Sequence, residues 1–116
     1  MHELSITQSV VAICAERAAR QGAHTRVRQV TLEVGLLAAV MPEAMRFCFD
    51  ACASGTALEG AELEIVEIPG RARCLACANE MAVTGLLDTC ACGSAQLFLI
   101  SGEELRVKQM EVEECA

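Results

Sequence analysis

The chain has 116 residues, 53% of them hydrophobic but only 3% aromatic, with a formal net charge of −7. That is material for one domain, or one small core plus a stapled subdomain, and a chain this acidic repels phosphate backbones, which argues against nucleic acid as a partner. No apolar run approaches the ~20 residues of a membrane span and no basic-then-apolar start marks a secretion signal, so a cytoplasmic protein without a membrane partner is expected.

The chain opens Met1-His2-Glu3. The α-amine of Met1, the backbone nitrogens of His2 and Glu3 and one ring nitrogen of His2 form a compact donor set. Four nitrogens in one plane suit Ni(II) or Cu(II) and suit Zn(II) poorly. A lone histidine at position 2 also has a plain alternative, incidental composition, and the tripeptide by itself does not choose. Ser5-Ile6-Thr7-Gln8 fits a capping box. Ile6, Val10, Ile13 or Cys14, and Ala18 then recur at helical spacing, and Gly22 is placed to stop the helix. The pattern predicts a helix over residues 4–21, followed by His24 as a solvated loop residue.

Strict alternation follows. Val30, Leu32, Val34 and Leu36 point one way and Gln29, Thr31 and Glu33 the other, as in a half-buried strand. Pro42 opens a second helix, where its missing N–H costs nothing. Met41, Met45, Cys48, Phe49 and Cys52 mark its inner stripe and Gly55 ends it. Residues 61–68 read as a second strand whose phase breaks between Leu63/Ile65 and Val66/Ile68, and Pro69-Gly70 closes it. Residues 104–113 read as a third strand. Its phase shifts from Leu105 and Val107 to Met110 and Val112, which places a bulge near Lys108-Gln109. The expected fold class is α+β: two helices packed on a small three-stranded sheet, with an inserted zinc-ribbon-like subdomain. Residues 1–70 plus 101–116 form the α+β domain and residues 71–100 the insertion. Glu111-Val-Glu-Glu-Cys-Ala116 is a short acidic, solvated end.

Eight cysteines in a chain with no secretion signal point to metal more than to disulfides. Cys74-Leu-Ala-Cys77 is followed, twelve residues on, by Cys90-Ala-Cys92-Gly93. Zinc takes tetrahedral thiolate ligation, and four thiolates make a closed structural site. About 30 residues bury too little apolar surface to fold alone, so metal binding supplies the missing free energy. A redox dithiol or disulfide and an iron–sulfur site are the alternatives. The second pair is C-x-C where zinc ribbons have C-x-x-C, so its turn must differ, and Gly93 suits that turn. Cys14, Cys48 and Cys52 read as small core residues, and Cys115 as an exposed, unpaired thiol. No nucleophile with a nearby base is apparent, so no catalytic residue is assigned. Function classes still open on these residues are a metal carrier, a zinc-ribbon interaction module without nickel cargo, and a thiol redox protein. The second lacks a basic, aromatic surface and the third lacks a thioredoxin-like βαβ context.

The opening Met1-His2-Glu3-Leu4-Ser5 and the two cysteine pairs together resemble the HypA/HybF family of hydrogenase nickel-insertion proteins. The similarity runs through Leu32-Glu33-Val34-Gly35, Pro42-Glu43-Ala44-Met45-Arg46-Phe47, Glu59-Gly60-Ala61-Glu62-Leu63, Ile68-Pro69-Gly70-Arg71-Ala72 and Ser101-Gly102-Glu103-Glu104-Leu105-Arg106-Val107-Lys108. The resemblance implies a nickel metallochaperone for [NiFe]-hydrogenase maturation, not an enzyme, and some relatives also supply urease. It implies nickel at Met1, His2 and Glu3, and structural zinc at Cys74, Cys77, Cys90 and Cys92. It further implies two partners, the nickel-binding GTPase HypB and the hydrogenase large subunit. Family members typically carry C-x-x-C at both pairs, so Cys90-Ala91-Cys92 is a departure.

Overall fold

Eleven residues with few breaks in apolar patterning build the spine of the molecule. In the computed structural model, which describes residues 3–85 and 87–115, β1 (Thr25–Gly35) is the central strand of a three-stranded sheet. It follows α1 (Glu3–Gln21) and precedes α2 (Pro42–Ala53). The chain returns through β2 (Glu62–Ile68), parallel to β1, and closes with β6 (Leu105–Glu114), antiparallel to β1 on its other side. A parallel pair needs a crossover, and α2 supplies it. Both helices lie over one face: Ile6, Val10, Val11, Cys14 and Ala18 of α1 and Met45, Phe49 and Ala53 of α2 meet Val27, Val30, Leu32 and Val34. The other face carries exposed cross-strand pairs, Arg106 Nε to Glu33 at 2.7 Å and Arg28 to Glu113 at 2.8 Å, which add little stability in water.

Two bulges set the phases. Opposite β6, the register of β1 steps from Val27↔Val112 to Gln29↔Glu111, leaving Arg28 extra. It then steps from Thr31↔Gln109 to Leu32↔Val107, leaving Lys108 extra, where the sequence pattern placed a bulge. Each extra residue reverses the side-chain phase. That is why Val27 joins Val30, Leu32 and Val34 in the core, and why Val107, Met110 and Val112 all pack against it.

Several local expectations need correction. α1 begins at Glu3, two residues before the expected cap. Ser5 is already helical, and Thr7 Oγ1 donates to the Glu3 carbonyl at 2.7 Å instead of capping. Cys14, not Ile13, takes the inner position. Leu36 is 61% exposed because β1 ends at Gly35 and Leu36 enters the turn. Met41 is 65% exposed as the N-cap residue of α2, outside the helical stripe. Cys52 packs against the core and Cys48 lies half-buried at its margin. Thr31, expected on the polar face, is buried on the rung it shares with Glu64 and Gln109.

The cysteine segment contains a second sheet that the pattern reading did not resolve. β3 (Arg71–Cys74) is its centre, with β4 (Glu80–Ala82) and β5 (Leu97–Ser101) antiparallel on either side. The two sheets meet at three glycines. A Cβ on Gly35 would sit 1.9 Å from the Gly102 carbonyl oxygen, and one on Gly70 would sit 2.4 Å from that of Val83. The Leu37 side chain packs over Gly70 and Gly102, and its amide donates to the Gly102 carbonyl at 2.7 Å. The result is elongated, 61 × 24 × 16 Å with a radius of gyration of 17.8 Å, against about 13 Å for a spherical chain of this length. No helix among the described residues is long and apolar enough to cross a membrane.

Candidate metal centre

The four paired cysteines sit on two tight turns at the far end of the second sheet. β3 delivers Cys74, whose amide donates to the Asn79 carbonyl at 2.8 Å while its carbonyl accepts from Ala78 at 2.9 Å. That turn holds Ala78 at φ +66°, a left-handed conformation that disfavours a side chain, and it presents Cys77. The second turn is closed by Cys90, whose amide donates to Ser94 and whose carbonyl accepts from Gly93, both at 2.8 Å. Gly93 adopts φ +94°, the role expected of it. The short C-x-C gap therefore still returns both sulfurs to one point.

The sulfurs of Cys74, Cys77, Cys90 and Cys92 all lie within 4.8 Å of one another. Cys74 Sγ is 3.7 Å from Cys92 Sγ, and Cys77 Sγ is 3.5 Å from Cys90 Sγ. A tetrahedron with metal–sulfur bonds of about 2.3 Å has edges of about 3.8 Å. Each close pair joins one turn to the other, so a bound ion ties the turns together. Cys74 and Cys90 are buried and Cys77 and Cys92 exposed. All eight cysteines are free thiols.

Electrostatics favour a cation here. The Cys77 backbone amide donates to the Cys74 sulfur and, with the Ala76 amide and against burial, brings that thiol down to about 6. Cys92 moves up: the Ser94 amide favours its thiolate, but the adjoining Cys90 and Cys74 sulfurs and burial outweigh it. Four crowded thiols cannot all ionise unless a positive charge sits among them. This soft, closed, all-sulfur set fits Zn²⁺, which when bound would supply cross-linking and no open coordination position.

Elsewhere the predicted residues separate from this centre. Met1 and His2 lie outside the described residues. Glu3 opens α1, and its carboxylate accepts from the Met41 amide at 3.0 Å, joining the start of α1 to the start of α2. His24 is exposed in the turn before β1, and its carbonyl accepts from the exposed Cys115. Burial pushes the Cys14 thiol up against the opposing pull of Arg17, in keeping with a core role. The sequence reading missed the amides that hold the Cys74 thiolate and the strained Ala78. The charged–apolar alternation of Arg71-Ala72-Arg73-Cys74 was the one signal that pointed to β3.

The family model described as hydrogenase/urease nickel incorporation, metallochaperone, hypA matches residues 1–112. The chain belongs to the HypA family. It is 54% identical over 114 residues to the hydrogenase maturation factor HypA of Nostoc punctiforme, covering 98% of this chain and 97% of that one. It is 53% identical to the HypA of Geobacter metallireducens, covering 97% and 100%. The solution structure of the Ni metallochaperone HypA from Helicobacter pylori shares the fold, with a TM-score of 0.66 at 24% identity over 96% of this chain and 97% of that one. HypA proteins are metallochaperones, so this chain is a nickel carrier of hydrogenase maturation and not an enzyme.

Proposed function

We propose that the chain grips Ni(II) at its N-terminus, through the Met1 amine, the His2 and Glu3 backbone nitrogens and the His2 ring, and hands it on during [NiFe]-hydrogenase maturation. The observation that carries this reading is the family match, which begins at residue 1 and so takes in Met1-His2-Glu3. In the same reading Cys74, Cys77, Cys90 and Cys92 hold structural zinc, with residues 71–100 as the zinc-binding subdomain and residues 1–70 plus 101–116 as the nickel-carrying domain.

A delivery protein must bind its cargo selectively and then let go. A closed four-thiolate cage retains metal, whereas a site at a chain end can be dismantled one donor at a time. That asymmetry supports assigning architecture to the cysteines and cargo to the terminus. The exchange partner is HypB and the final recipient the hydrogenase large subunit, as the family resemblance implies. The family description pairs hydrogenase with urease, which makes urease the second client to test.

Nickel titration of protein with a native N-terminus tests the reading. One Ni(II) is expected per chain, with tight binding lost in His2→Ala and in a chain carrying extra residues before Met1, while zinc content stays constant. Affinity should fall as pH drops through ~8 to ~6.5, because protons compete for the amine and the imidazole. Undiminished affinity in the extended chain would refute the terminal site.

A further inference from the structure

Each sheet ends in two edge strands, and three of the four are guarded. β2 carries Glu62, Glu64 and Glu67, and β6 carries Arg106, Lys108, Glu111, Glu113 and Glu114. β4 is three residues long and starts with Glu80. Charges and short length are the usual defences of a strand edge. β5, Leu97-Phe98-Leu99-Ile100-Ser101, has no charge and no proline; a single bulge at Ile100, between the Ala72↔Leu99 and Arg71↔Ser101 pairs, is its only irregularity, and among the described residues it pairs only with β3. Its inner side chains, Leu97 and Leu99, turn toward Ala72 and Val83. Its outer ones are Phe98, 61% exposed, and Ile100, 44% exposed. Beside them on β3 stand two arginines. Arg73 is directly opposite Phe98 and has only a 3.7 Å contact with Glu80, and Arg71 has no ion pair among the described residues. Glu103 and Glu104 close the shallow depression beyond Ser101.

We propose that β5 is a docking edge that accepts an extended segment of a partner protein, alternating apolar and acidic residues, as a fourth strand of the second sheet. Backbone groups along the open edge supply the hydrogen bonds; the segment's apolar residues lie on the inner face beside Leu97 and Leu99, and its acidic residues on the outer face with Phe98, Arg71 and Arg73. A strand laid beside β5 lies about 9.6 Å from β3. A glutamate on it and an arginine on β3, leaning toward each other across Phe98, close that gap. The carboxylates past Ser101 repel acid at that end, so the segment's acidic residues stand alongside Phe98 and Arg73.

A second copy of this chain fits less well. An edge about 17 Å long buries far less than the about 1,200 Å² that a stable dimer needs, and −7 on each chain opposes pairing. A single extended segment demands neither. The inference does not depend on where nickel binds.

The test uses the metal-replete full-length chain, labelled for amide NMR, and two capped octapeptides of alternating valine with glutamate or with lysine. Saturable shifts and slowed amide exchange are expected at Leu97–Ser101 with the glutamate peptide. The lysine peptide should bind about fivefold more weakly, the worth of two partly exposed ion pairs. Phe98→Glu and Ile100→Glu change exposed side chains, set like charge beside the peptide's glutamates and should abolish the response while leaving the other amide positions in place. No saturable change at β5, equal binding by both peptides, or line broadening at β5 that grows with protein concentration alone would each overturn the proposal, the last in favour of a second copy.

Discussion

Ala78 is a small residue in a costly position. Its φ of +66° is forced by the turn that carries Cys74 to Cys77, where the Ala78 amide must reach the Cys74 carbonyl. Glycine occupies that conformation without a Cβ penalty, although it loses more freedom on folding. Ala78→Gly should therefore stabilise the zinc-loaded protein by about 0.5–1 kcal/mol, read as a higher urea midpoint, and a lower midpoint would contradict the strain. The clustering of the four cysteines was legible from sequence because their spacing is local. The strain at Ala78 was not, because it arises only when the turn closes. Leu36 and Met41 misled for the opposite reason: each continues an apolar period one step past the residue where the backbone leaves its element.

At the scale of elements, the bulge at Lys108 decides what the last strand buries. One extra residue lets Leu105 and Val107 share a face with Met110 and Val112 despite their odd spacing. Deleting the extra Lys108 should restore strict alternation and keep Val107, Met110 and Val112 on the core face, so stability should change by less than about 1 kcal/mol and the thermal midpoint by under ~5 °C. A fall of ~10 °C or more would mean that the bulge itself is needed to fit β6 onto β1. This bulge could be read in advance because the apolar pattern records it. The strands of the second sheet could not. At four, three and five residues they are too short to show a period, and cysteine and alanine carry little amphipathic signal.

Across the whole molecule, the two sheets differ in what sustains them. The helix-covered sheet has a contiguous core, from Ile6 and Val10 through Val30, Leu32, Met45 and Phe49 to Leu58. The second sheet buries Ala72, Cys74, Val83 and Cys90, too little apolar surface to stand without a cross-link. A zinc chelator should therefore strip amide protection from β3, β4 and β5 while the far-UV helical signal of α1 and α2 persists. Loss of both together would show one cooperative unit. Acid should act in the same order. Cys74 titrates below an ordinary thiol, so its thiolate favours the fold at high pH and that contribution is lost as pH falls through about 6.

The hydrogen bond from the Met41 amide to the Glu3 carboxylate latches the first turn of α1 to the entry of α2. Met41 comes 38 residues after Glu3 in the chain, so this one contact pins two helix starts that sequence order leaves far apart. Any event that draws Glu3 away from Met41 leaves the α2 entry without its carboxylate acceptor, so a change at the first turn of α1 is felt at the start of α2.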